Sequence, residues 1–160
     1  MSPRAAWRLE ALGFAEVYDY DGGKMDWLAF GLPAEGSAAS EPSLGGLVNR
    51  EAPRCSPAER LADVAARMAA GWTWCAVVNE AGILLGRLRR RQLDEQPDLT
   101  AEEAMENGPS TYRPSAPAQE LLERMKSRGF EASFVTDSDG RLWGLVSRAD
   151  LERALGEDRP

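Results

Sequence analysis

The feature that most constrains this chain is that it repeats itself. The run Val77-Val78-Asn79-Glu80-Ala81-Gly82-Ile83-Leu84-Leu85-Gly86 returns in outline as Val135-Thr136-Asp137-Ser138-Asp139-Gly140-Arg141-Leu142-Trp143-Gly144, 57 to 58 residues later. Each run is β-rich, breaks at an Asn/Asp-to-Gly turn and resumes as a second β-rich stretch ending at glycine, which predicts a hairpin. Upstream of each hairpin lies an apolar stripe at helical spacing: Leu61, Val64, Ala65 and Met68 in the first copy, and Leu121, Leu122 and Met125 in the second. Ser56-Pro57 predicts a cap and a first-turn proline for the first of these helices. Short charged helices are expected after the hairpins, over Arg90–Glu95 and Arg148–Leu155. Between the copies, Thr100-Ala101-Glu102-Glu103 is a capping box opening one more turn of helix through Met105. One copy is too small to stand alone, whereas two can share a core between their sheets. The expected fold class is therefore α+β, built from two β-α-β-β-α units.

Four segments follow from this pattern. Residues 52–98 and 99–156 are the two repeats. Residues 37–51 lie in a Gly-, Ser-, Ala- and Pro-rich stretch without periodicity and read as a linker. Residues 1–36 predict a helix around Ala5–Leu12, a strand at Glu16–Tyr20, a Gly22-Gly23 turn and a helix around Lys24–Phe30, capped by Gly31. That unit buries too little surface to be independent and must pack on something.

Composition narrows the chemistry. The chain has no histidine, which removes Ser-His and Cys-His nucleophiles and the commonest metal ligand together. Its two cysteines, Cys55 and Cys75, are too few for a zinc site or a Cys-x-x-Cys redox pair. No enzyme mechanism, metal or cofactor is therefore expected. A net charge of -7 weighs against nucleic acid as a partner. No apolar run approaches the roughly 18 residues that span a bilayer, and the N-terminus lacks a signal-peptide core, so no membrane association and a cytoplasmic location are expected.

The second copy, from Gly129-Phe130-Glu131-Ala132-Ser133-Phe134 through Gly144-Leu145-Val146-Ser147-Arg148-Ala149-Asp150-Leu151, resembles the end of a cystathionine-β-synthase-type (CBS) domain, and the first copy resembles one more loosely. The resemblance implies a tandem CBS pair, or Bateman module, with its two units about a pseudo-two-fold axis. It also implies a tendency to homodimerise and clefts for AMP, ADP, ATP or S-adenosylmethionine. The first 36 residues resemble the C-terminal end of a rhodanese domain through Leu12-Gly13-Phe14, Val17-Tyr18, Gly22-Gly23-Lys24, Trp27 and Gly31-Leu32-Pro33. They would be a remnant without the cysteine loop that carries persulfide in that family.

Candidate site residues sit mainly at the start of the last helix. Ser147 ends a strand just before that helix, where a hydroxyl and free backbone N–H groups suit a phosphate. Asp150, one turn on, can accept from the two hydroxyls of a ribose, and the resemblance gives this pair those two roles. Ser-x-x-Asp is equally a plain capping box. Gly144, Arg148 and, by resemblance, Thr111 complete the expected contacts. In the first copy Arg89 and Gln92 replace the Ser and Asp, so one ligand per chain is expected, in the cleft of the second unit. By the same resemblance Phe134 stands next to the nucleobase pocket. Arg87, Arg89, Arg90 and Arg91 read as a solvated helix start whose stems cover apolar surface, the alternative being a grip on polyphosphate or an acidic partner. Trp72 and Trp74 are expected to pack against the N-terminal unit or a second subunit, with no basic groove beside them. Cys55-Ser56-Pro57-Ala58-Glu59-Arg60 has the Cys-x4-Arg spacing of a persulfide loop, but Pro57 removes an amide donor and Glu59 brings the wrong charge. Two alternatives to ligand sensing follow: a rhodanese-type sulfurtransferase using Cys55, and a dimerisation module that binds nothing.

Overall fold

The computed structural model describes residues 3–18, 23, 27, 28, 30, 32 and 42–156. A helix, α1 (Pro3–Ala11), opens the chain. The first repeat then runs β1 (Arg54–Cys55), α2 (Leu61–Arg67), β2 (Trp74–Val78), β3 (Leu84–Arg89) and α3 (Arg90–Glu95). A single helical turn, α4 (Ala101–Ala104), and β4 (Glu106–Asn107) lead into the second: β5 (Thr111–Tyr112), α5 (Ala118–Arg128), β6 (Ala132–Thr136), β7 (Leu142–Ser147) and α6 (Arg148–Leu155). The two hairpins and the two helices that follow them fall where the turn chemistry and apolar spacing put them. Gly129 closes α5 in the left-handed conformation (φ 69°), which suits a residue without a Cβ.

Two sheets result, one of order β1-β2-β3-β4 and one of order β5-β6-β7. In each, a short leading strand pairs parallel to the first hairpin strand, and the hairpin is antiparallel. The registers repeat as well: Trp74 faces Arg89 in β2–β3 as Ala132 faces Ser147 in β6–β7, and both hairpins slip register at the matching place. The hairpin turns meet across the repeat, with Leu84 N–H donating to Gly140 O (3.0 Å) and Leu142 N–H to Gly82 O (2.9 Å). That reciprocity is a pseudo-two-fold relation written in hydrogen bonds.

The stretch expected to be a linker is structural. Leu44 is fully buried in the core of the second repeat, beside Leu121, Leu122 and Val146, with Leu47 and Val48 packed against the same cluster. Leu44 N–H donates to Ala116 O (3.0 Å), Gly45 N–H to Pro114 O (2.7 Å) and Asn49 N–H to Leu145 O (2.8 Å). The segment after the first repeat does the same in reverse. Ala101 N–H donates to Glu59 O and Glu102 N–H to Pro57 O, and Ala101, Ala104 and Met105 join the first repeat's core with Leu61, Val64 and Leu88. Each repeat thus begins with an arm that crosses to the other. The first arm passes closest to the second repeat at β7, where a Cβ on Gly144 would fall on the carbonyl of Asn49.

The arms also explain a second departure. Residues 56–60 do not open a helix, because their carbonyls serve the incoming arm and the Glu59 carboxylate accepts from Ser56 N–H (2.6 Å). The helix starts at Leu61 instead. A third cluster joins the two sheets: Ala52, Ala76, Phe134, Leu142 and Leu145, with Trp72 and Trp74 at its margin.

At the N-terminus α1 forms, but Glu16–Tyr18 are in no strand, and Trp7, Leu12, Phe14 and Tyr18 are exposed. Among the described residues no strand pairs with this run, and its exposed backbone groups are left to water. Residues 19 and 20, the Gly22 side of the turn and most of the expected helix at Lys24–Phe30 lie outside the described residues. Phe30 rests on Trp143, ring centroids 5.2 Å apart.

Candidate functional site

Two clefts among the described residues are lined by both repeats. The second cleft, about 320 Å³, is lined by Asn49, Trp72, Trp74, Leu145, Ser147 and Asp150 among others. Strand β7 ends at Ser147 with extended backbone (ψ 155°), and α6 begins at the next residue. Asp150 N–H donates to Ser147 Oγ (3.1 Å), and the Ser147 hydroxyl donates to Asp150 Oδ2 (2.6 Å). Asp150 Oδ1 accepts from Arg153 Nη1 (3.0 Å). The pair therefore caps the helix and lines the cleft at once. Each carboxylate oxygen keeps an unused lone pair, so the cap does not exhaust the acceptor capacity that a diol would need.

The other sequence candidates part company here. Thr111 lines the first cleft, on the far side of the pseudo-two-fold axis, and its Oγ1 accepts from the Thr136 hydroxyl (3.1 Å). Paired to β6 within its own sheet, the leading strand of the second repeat lines the first cleft, while the start of that repeat's last helix lines the second. Gly144 is buried at the arm crossing and lines neither cleft, its smallness being required by Asn49. Arg148 also lines neither cleft and pairs with Glu131 (3.0 Å) and Glu152 (3.5 Å). Phe134 is only 3% exposed in the core joining the sheets and lines neither cleft, so it neither stacks in the second hollow nor plugs it. The aromatic walls of that hollow are Trp72 and Trp74, which the sequence assigned to other packing.

The first cleft is larger, about 1170 Å³, and differs in chemistry. Arg87 and Arg89 stack on the Trp74 ring at 4.5 and 4.8 Å from its centroid, and Glu106 on β4 takes the Nε–H of both, at 2.7 and 2.9 Å. These hydrogen bonds hold the Glu106 carboxyl below the usual carboxylate range. A basic groove therefore does accompany Trp74, contrary to expectation. Strand β3 supplies it, brought alongside β2 by the hairpin.

Cys55 and Cys75 are both buried, at 3% and 0% exposure, in the core of the first repeat. A hydrogen bond with Cys75 and burial push the Cys55 thiol far up, the reverse of what a persulfide carrier needs. Among the described residues no group of His, Cys, Asp and Glu is placed to hold a metal ion, and no helix is long and apolar enough to cross a membrane.

Comparison with known proteins follows the same lines. Residues 101–157 match the family model of the CBS domain. None of the curated proteins matches the chain. Among solved structures, the cytosolic domain of the Mg2+ channel MgtE in complex with ATP is 26% identical, with a TM-score of 0.63 over 74% of this chain and 51% of that one. The CBS domain pair of protein MJ0100, in complex with 5-methylthioadenosine and S-adenosyl-L-methionine, is 18% identical (TM-score 0.63), covering 74% of this chain and 99% of that one. CBSX2 in complex with AMP is also 18% identical (TM-score 0.63), covering 73% and 98%. The chain thus spans about half of the MgtE cytosolic domain and nearly all of an isolated CBS pair. Its second repeat matches the CBS domain, and its fold is that of a CBS domain pair. The resemblance of residues 1–36 to a rhodanese gains no support from the fold or from these likenesses.

Proposed function

We propose that this CBS-pair chain is a cytoplasmic regulatory module, not an enzyme, that binds one adenosine-containing ligand (AMP, ADP, ATP or S-adenosylmethionine) in the second cleft and works as a homodimer. The observation that carries the reading is that Ser147 and Asp150 stand together on the wall of a hollow shared by both repeats and lined also by Trp72 and Trp74. In this reading Asp150 accepts from the ribose hydroxyls, Ser147 turns its hydroxyl toward phosphate or carboxylate, and the base lies against an indole. Structural neighbours solved with ATP, with AMP and with S-adenosylmethionine support the ligand class. Because the cleft has walls from both repeats, a ligand that fits one relative packing of them better than another shifts the balance between the two.

Calorimetric titration with AMP, ATP and S-adenosylmethionine tests the proposal. At least one should bind, and Asp150→Asn and Ser147→Ala should each weaken it at least tenfold, about 1.4 kcal/mol. Ser147→Ala should cost only a cap in stability, about 1 kcal/mol. No heat at millimolar ligand would defeat the proposal and leave the ligand-free dimerisation module. The sulfurtransferase reading would need thiosulfate-to-cyanide transfer that disappears in Cys55→Ala, and no observation on the buried Cys55 favours it.

A further inference from the structure

The first cleft is basic in an acidic protein. Its walls carry six arginines against two glutamates, while the whole chain is at -7. The arginines come from both repeats. Arg87 and Arg89 lie at the end of β3, and Arg124 and Arg128 on the last turns of α5 line the same cleft. One of the two glutamates, Glu131, is turned to Arg148. The other, Glu106, chelates Arg87 and Arg89 with its two oxygens. Arg124 donates to the Tyr112 hydroxyl (3.2 Å), and Arg128 makes no ion pair among the described residues. Four guanidinium groups thus converge on one hollow with a single carboxylate between two of them.

We propose that the first cleft is a separate site for a linear oligophosphate, gripped by Arg87, Arg89, Arg124 and Arg128, and that the Glu106 carboxylate occupies one phosphate position until the ligand displaces it. Guanidinium forks match phosphate oxygens in pairs and need no ribose or base. The position that carries Asp150 in the second repeat carries Gln92 here, and Gln92 is spent: its amide donates to Ala104 O (2.8 Å) and its oxygen accepts from Arg89 N–H (2.7 Å). The sugar grip is therefore absent and the phosphate grip multiplied. Stacking on Trp74 keeps Arg87 and Arg89 in place when Glu106 lets go, so displacement costs little reorganisation. The oligophosphate is either free or the tail of a nucleotide, and the chemistry of recognition is the same for both.

The test is calorimetry at constant ionic strength with inorganic tripolyphosphate, ATP and short poly-glutamate, on the full chain. Tripolyphosphate should bind, and it should bind unchanged in the double variant Ser147→Ala, Asp150→Asn, which separates this site from the second cleft. Arg124→Ala with Arg128→Ala, both on the exposed face of α5, should weaken it at least about tenfold. Glu106→Gln should tighten it several-fold, because the competing charge is gone. Equal affinity for ATP and tripolyphosphate identifies the free chain as sufficient, and a clear preference for ATP that survives the double variant identifies a nucleotide tail. Absence of tripolyphosphate binding in both the wild type and Glu106→Gln overturns the proposal, as does binding indifferent to Arg124 and Arg128. Tighter binding of poly-glutamate than of tripolyphosphate overturns the ligand class in favour of an acidic protein partner.

Discussion

Replacing Leu44 by alanine separates a structural arm from a linker. The substitution removes three carbons from a side chain with 0% exposure, worth about 0.8 kcal/mol each in transfer free energy. The cavity left among Ala118, Leu121, Leu122 and Val146 adds to that, although a three-residue 3-10 turn at the rim of the core can settle inward and recover part of it. A loss of about 2.5 to 3.5 kcal/mol follows. The backbone bonds from Leu44 and Gly45 to Ala116 and Pro114 survive the change, so the arm stays docked and the surface exposed on unfolding stays the same. In urea the midpoint should therefore fall with an unchanged slope, and in a thermal scan Tm should drop by about 5–12 °C for a chain of this size. Leu12→Ala, at a side chain 66% exposed, serves as the control and should change stability by less than about 0.5 kcal/mol. If Leu44→Ala behaved like the control, the arm would be a tether after all, and its place in the core of the second repeat would be refuted.

Three further outcomes follow. Gly144→Ala should cost about 1–3 kcal/mol in a denaturant titration, because the added methyl meets the rigid backbone carbonyl of Asn49. The matching change Gly86→Ala meets first the flexible thioether of Met105 and should cost less, so the reverse order would show that the arm crossing is misread. For pH, the Arg89 and Arg87 hydrogen bonds lower the folded-state pKa of Glu106, so its contribution is fully present above the unfolded carboxylate value and is lost as pH falls through the folded one. Wild type should exceed Glu106→Gln in stability at neutral pH and converge with it in acid, and parallel curves would refute the pairing. Cys55 and Cys75, buried together, should resist a thiol reagent such as dithiobisnitrobenzoate until the chain unfolds, and prompt reaction of either in the native state would contradict the packing.

The parts of the fold readable in the sequence are those fixed by neighbours in the chain. Asn79 and Asp137 close their turns by accepting from residues two and four positions on, so the hairpins announce themselves. The first arm does not, because its backbone partners lie more than sixty residues away and its glycines and serines imitate a linker. A signal was nevertheless present. Leu44, Leu47 and Val48 hold apolar positions that match Ala101, Ala104 and Met105, and extending the repeat upstream by ten residues would have exposed it. The candidate site was half legible for the same reason. Ser147 and Asp150 belong to one local helix start and stay together, whereas Thr111 and the Trp74–Arg87–Arg89 stack are arranged by pairings across strands and across repeats that no short motif encodes.

The two helix starts bear on why the clefts diverged. Both need the orphan N–H groups of a first turn satisfied, and each solves this differently. At α6 the N-cap side chain of Ser147 reaches forward to Asp150 N–H. At α3 the Gln92 side chain reaches back to Arg89 N–H. Since the second arrangement asks nothing of the N-cap side chain, Arg89 is free to leave the helix end for Trp74 and Glu106. Capping alone therefore does not require serine and aspartate at 147 and 150, because the same backbone in the first repeat is capped without them. The cap explains why that pair is compatible with the helix. With the pair in one repeat and not in the other, two clefts of one architecture carry opposite chemistries, a hydroxyl and a carboxylate beside two indoles in one, and guanidinium groups in the other.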